Sequence, residues 1–97
     1  MGLFIKTYNR NGGMSLVNID NVENISLSNN DGVTYTPTRG TNPNASYYPT
    51  IAYCTKANAE IIFDEITNFI ATNTSGVYDA YTRVKELNNN NRMAQNP

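Results

Sequence analysis

The chain has no histidine and only one cysteine, Cys54. These two absences exclude more chemistry than any motif in it suggests. A single cysteine forms no intrachain disulfide. A Cys/His zinc site within one chain lacks its ligands. Ser–His–Asp triads and Cys–His pairs lack their general base. A lone thiol without a base is a poor nucleophile, so Cys54 reads as a small buried strand residue.

Charge is scarce as well. Charged residues make up 15% of the chain, where about 25% is ordinary. Neutral polar residues, above all Asn and Thr, take their place. The net charge of -1 gives no electrostatic reason to expect duplex nucleic acid or an anionic membrane as partner. No run of about 20 apolar residues occurs, so no membrane span is predicted. The opening MGLFIKTYNR lacks the apolar core of a signal peptide. Its Met-Gly start does not lead to a myristoylation motif, because Thr7 stands one place late. Without a secretion signal the N-x-S/T triplets at Asn24, Asn44 and Asn73 carry no weight. The expected setting is the cytoplasm.

Phosphate loops of the GxxxxGK(S/T) or GxGxxG kind are missing too. The turn NNDG lacks the spaced acids and distal Glu of a calcium loop. Asp20 and Glu23 flank a bend, where Asp20 is expected to cap nearby backbone N–H groups rather than act as one of a catalytic pair. Glu60, Asp64 and Glu65 read as a solvated helix face. No cofactor or metal is expected.

What is present is a small α+β pattern. The 97 residues amount to one domain, residues 1–88, followed by an Asn-rich flexible tail, residues 89–97. Leu3 to Tyr8 alternates as a strand, with Phe4, Lys6 and Tyr8 on one face. The cluster NRNGG turns the chain, and Met14 to Ile19 returns as the second strand of a hairpin. Val22 and Ile25, three apart, suit a tight bend. Ile25 to Ser28 and Val33 to Thr36 then form a second hairpin about NNDG, which Pro37 ends. Thr38 to Ser46 is a long loop, and a fifth strand covers about Thr50 to Cys54.

Thr55 is placed to cap a helix whose apolar stripe is Ile62, Phe63, Ile66, Phe69 and Ile70. NTSG stops it. Val77, Tyr81, Val84 and Leu87 predict a second helix to about Asn88, with Asp79 and Arg83 as a surface i,i+4 pair. The expected fold is a small antiparallel sheet of about five strands in two hairpins, followed by two helices, the first lying on the sheet.

The run IKTYN…SLVNIDNVENISLS…DGVTYTP…YCTKANAEIIFDEITNFI resembles the small flagellar FlbD family and similar short phage proteins. Asn18, Asp20, Val22 and Ile25 match that family's N-x-D-x-(I/V)-x-x-I bend. Thr55 and the Ile61–Ile70 helix match its end. The resemblance covers about Leu3 to Ile70 without the loop; that loop and the second helix are extra. It implies an α+β fold, an intracellular setting and a small accessory role, with no catalytic residues to carry over.

Two surfaces stand out as candidate sites. The loop and its flank put Arg39, Asn42, Asn44, Tyr47 and Tyr48 within ten residues. A guanidinium can bind phosphate and a phenol can stack on a base. The second helix offers Tyr81 and Arg83, residue types enriched in interfaces. It can pack inside the chain or cross to another subunit. The first expectation is a non-catalytic, phage- or mobile-element-encoded binding and assembly protein. It would form a homo-oligomer and recognise a host or viral protein. The alternative is an anti-defence sponge for a nucleotide signal held between subunits.

Overall fold

The computed structural model describes residues 2–38 and 49–95, with side chains for 2–38 and 49–89. Strand β1, Leu3–Lys6, pairs antiparallel with β2, Leu16–Asn18. The NRNGG turn between them closes by the Asn9 amide on Gly13 O and the Gly12 amide on Asn9 O, at 2.8 and 2.9 Å. Gly12 takes a φ of 87° there, the left-handed region open to glycine.

The bend expected between Val22 and Ile25 lies earlier, in a 3-10 turn at Ile19–Asn21, and Val22 and Ile25 both belong to the strand that follows it. The cap of the turn is Asn18 rather than Asp20: Asn18 Oδ1 accepts from the Asp20 amide at 3.0 Å. The residue one step before the turn is better placed to reach its free N–H than one inside it.

Strand β3, Val22–Ser28, and strand β4, Gly32–Pro37, form the second hairpin, with a bulge between Val22 and Asn24. Gly32 is required at its turn. Its φ is 79°, and a Cβ there would collide with the Ala52 carbonyl and lie 2.9 Å from the Cys54 amide nitrogen. Strand β5, Thr50–Ala52, pairs with the other side of β4.

Helix α1, Lys56–Thr72, begins at the expected cap, where Thr55 Oγ1 accepts from the Asn58 amide at 3.3 Å. It lies across β3 and β4. A sixth strand follows that the sequence pattern did not predict: β6, Gly76–Asp79, runs parallel to β1 with Ile5 beside Tyr78. Helix α2, Ala80–Gln95, therefore starts later than the spacing of Val77 suggested and ends beyond Asn88. Val77 belongs to the strand and is exposed.

The architecture is α+β, with two three-stranded sheets in the orders β2-β1-β6 and β3-β4-β5. All pairings are antiparallel except β1 with β6 and a single bridge that joins the sheets, Tyr8 beside Ala52. There the Tyr8 amide bonds Ile51 O at 2.8 Å and the Tyr53 amide bonds Tyr8 O at 3.0 Å. Ile5, Val33, Ile51, Ile62, Ile66 and Val84 fill the space between sheets and helices and are almost wholly buried. Each such side chain contributes about 1.5–3 kcal/mol of burial. Helix α2 packs within the chain, against α1, β1 and β5. Asn58 Nδ2 near the start of α1 donates to Asn88 Oδ1 on α2 at 3.3 Å.

Candidate functional site

Helix α1 presents two flanks, and they differ in kind. Toward β6 and α2 the flank is closed. Arg83 on α2 reaches back to Glu65 on α1, with Nε 3.0 Å from both carboxylate oxygens and Nη2 2.8 Å from Oε2. Tyr78 donates to Glu65 Oε1 at 2.6 Å, and its ring packs on Phe69 with centroids 6.0 Å apart.

The hydrogen bonds from Arg83 hold the Glu65 carboxyl below its usual range, against an opposing push from burial. Burial raises the Tyr78 hydroxyl well above its usual range, and the neighbouring Glu65 carboxylate adds to that. Charge-assisted, bidentate contacts of this type fix one geometry strongly. Asp79 caps α2 instead of pairing with Arg83: Oδ1 accepts from the Thr82 amide and Oδ2 from the Thr82 hydroxyl, both at 2.9 Å. The predicted i,i+4 pair is therefore replaced by a cap and an interhelical clamp.

Toward β3 the flank is open. Val22 and Ile25 on the strand side face Phe63, Ile66 and Ile70 on the helix side across a groove of about 310 Å³. Thr67 lines the helix side, and among the described residues Glu23 is the only charged one on the wall. The predicted α1 stripe thus divides. Ile62 and Ile66 are buried, Phe63 and Phe69 are half-buried, and Ile70 is 36% exposed. Beside the groove runs β3, the end strand of its sheet. Among the described residues no strand pairs with its outer side. Leu27, two residues beyond Ile25, is 46% exposed.

A second cavity, of about 370 Å³, is lined mostly by polar residues. Asn9, Arg10, Asn11, Tyr35 and Pro49 are on its wall. Arg10 lies over the Tyr53 ring, 5.6 Å from its centroid, and 3.1 Å from Asp31 Oδ1. That oxygen has no aligned hydrogen-bond donor, so the Arg10 contact is one of charge alone.

Five of the residues singled out in the sequence, Arg39, Asn42, Asn44, Tyr47 and Tyr48, lie outside the described residues. The other two are not brought together. Arg83 faces Glu65. Tyr81 instead stacks at a tilt on Tyr8, centroids 5.4 Å apart, with Lys85 Nζ 4.8 Å and Lys6 Nζ 5.8 Å from its ring centre. Cys54 is half-buried, its thiol pushed up to about 11 by burial and donating to Ala52 O at 3.4 Å.

Comparison with known proteins finds no matching family model, curated protein or solved structure.

Sequence reasoning did not single out Arg10, nor the groove. The sequence shows the groove's parts only as the five-residue apolar stripe of α1 and the uncharged run ISLS, and neither marks where the sheet beneath the helix ends. No helix among the described residues is long and apolar enough to cross a membrane, and no group of three or more Asp, Glu or Cys among them is placed to hold a metal ion.

Proposed function

We propose that the chain is a non-catalytic binding and assembly protein that works through protein–protein recognition. Its setting in this reading is the cytoplasm, where it is encoded by a phage or mobile element and plays a small accessory role. One observation carries the reading: an apolar groove beside an open strand edge. Ile25, Phe63 and Ile70 converge on that groove, next to the side of β3 with which no strand among the described residues pairs. Edge strands of native proteins are ordinarily blunted by charge, proline, bulges or shortness. Where one is left open beside apolar pockets, backbone hydrogen bonds supply affinity and the pockets supply specificity.

A photo-crosslinking residue placed at Ile70 tests this in cells, with Ile61 as the control. Ile61 is 41% exposed on the same helix but lies outside the groove wall. Discrete protein adducts at position 70 and not at 61 are expected. Equal labelling at both, or none at either, would contradict the reading.

The polar cavity favours a second reading, a nucleotide-type ligand in an anti-defence role. Arg10 there offers a guanidinium, and Asn9, Asn11 and Tyr35 offer amides and a phenol. Pro49 on its wall directly follows the segment that carries Arg39, Tyr47 and Tyr48. A thermal-shift panel of nucleotides and cyclic nucleotides decides it, because a ligand that binds only the folded state raises apparent stability by mass action. Saturable stabilisation by one nucleotide supports the second reading; a flat panel removes it.

A further inference from the structure

We infer that the occupant of the open flank is a second copy of this chain, joined strand to strand through β3. The inference rests on the recognition reading above and names the partner.

The edges of the two sheets are not equally protected. Strand β2 has three residues, and β6 has four and ends in Asp79. The free side of β5 takes the hydrogen bonds of Tyr8. Strand β3 is the longest edge, with seven residues. Its first part is guarded by the bulge between Val22 and Asn24 and by Glu23. The remainder, Ile25 to Ser28, has neither bulge, proline nor charge. Edges of that composition pair with other strands unless something covers them.

The sequence of β3 fits an antiparallel copy of itself. With the two-fold axis at Ser26, Ile25 of each copy faces Leu27 of the other. Asn24 faces Ser28, and Ser26 faces its counterpart. Alternation keeps the two apolar pairs on the face toward α1 and the polar pairs on the outer face. Ile25, on the groove wall with Phe63 and Ile70, fixes which face that is, and Leu27, two residues on, shares it. In this register the exposed Leu27 of each copy enters the groove of the other beside Ile25, Phe63 and Ile70.

The charges agree with the pairing. Glu23, the single charge among the described residues of the groove wall, comes opposite Asn29 at the turn, where an amide and solvent can meet it. No like charges are opposed. The groove side of α1, formed by Phe63, Thr67 and Ile70, is uncharged. Glu65 is held away from it by Arg83. The two copies of α1 would run antiparallel on one face of a joined six-stranded sheet, the orientation that their helix dipoles favour. A slip of one residue in the register would turn Leu27 away from the groove.

Light scattering on the full chain at rising concentration should reach twice the chain mass of 10.8 kDa. Leu27→Lys, shown to be folded by circular dichroism, should stay at the single mass. Leu16→Lys, on the exposed β2 edge, should still double. In a Cys54→Ala background, Ser26→Cys should cross-link to itself on oxidation, since directly opposed residues lie within disulfide reach. Asn24→Cys, opposed to Ser28, should not.

A chain that stays monomeric, a dimer indifferent to Leu27→Lys, or cross-linking at position 24 in preference to 26 would each overturn the inference. Monomeric chain combined with capture of a different protein at position 70 would refute the second copy and leave the recognition reading intact. No adduct at position 70 together with a monomer would refute both.

Discussion

The two flanks of α1 are built from similar helix and differ in how they end. On the α2 side the aromatic ring of Phe69 meets Tyr78, and a carboxylate, a phenol and a guanidinium complete one another's hydrogen bonds. On the β3 side Phe63 and Ile70 meet a groove wall and then solvent. The first flank shows how this chain finishes an interface that belongs to its own fold. The second lacks that finish, and apart from Glu23 the described residues of its wall are uncharged and mostly apolar. On this contrast rests the proposal that one flank serves stability and the other recognition.

Changes that remove the frame shared by both flanks should cost most. Gly32→Ala forces a Cβ against the Ala52 carbonyl at a left-handed φ. Backbone strain and overpacking together should cost about 2–6 kcal/mol, read as loss of the cooperative thermal transition. Ile62→Ala opens a void beneath the middle of α1, where Ile62 is fully buried. It should cost about 2–5 kcal/mol in chemical denaturation.

Breaking the closed flank comes next. Glu65→Gln removes the charge that Arg83 and Tyr78 share. Both partners of the ion pair are about one-third exposed, so screening trims the effect to about 1–2 kcal/mol. The same group predicts a pH dependence. A carboxyl whose folded pKa is depressed stabilises the fold above its unfolded pKa, and that contribution fades as pH falls through the folded value. For Glu65 the window opens near the ordinary value of 4.5 and extends below it. Wild type should therefore lose stability with acid more steeply than Glu65→Gln. Equal slopes in urea melts across that window would show that the clamp adds nothing.

The smallest stability effect should come from the open flank. Ile70→Lys replaces a side chain that is 36% exposed, near the C-terminus of α1 where a cation suits the helix dipole, and should cost about 1 kcal/mol or less. It should nonetheless abolish association. If it unfolded the chain instead, the open flank would be as structural as the closed one.

Most of the frame was legible because local chemistry and long-range packing agree. NRNGG and NNDG turn where Gly12 and Gly32 need left-handed backbone, and Thr55 caps the helix that its stripe announces. Strand β6 was not legible. Val77, Tyr81 and Val84 keep helical spacing, and only the distant pairing of Gly76–Asp79 with Leu3–Lys6 makes that stretch extended. Arg83 stood out in the sequence as an interface residue, but its partner, Glu65, is eighteen positions away on another helix, so a local i,i+4 rule chose Asp79 instead. The groove was hidden because Phe63 and Ile70 share the periodicity of Ile62 and Ile66. Periodicity marks a face; it does not say where the sheet beneath that face stops. The position of the strand edge under the helix decides which apolar residues become core and which become surface.

The most direct test is amide hydrogen exchange followed as the protein is concentrated. The account predicts that protection of Ile25 to Ser28 rises with concentration, together with that of the Phe63–Ile70 turns of α1. The amides of β6 and of the first turns of α2 should not change. Uniform exchange at all concentrations, or protection that grows on the β6 side instead, would contradict the assignment of recognition to the open flank.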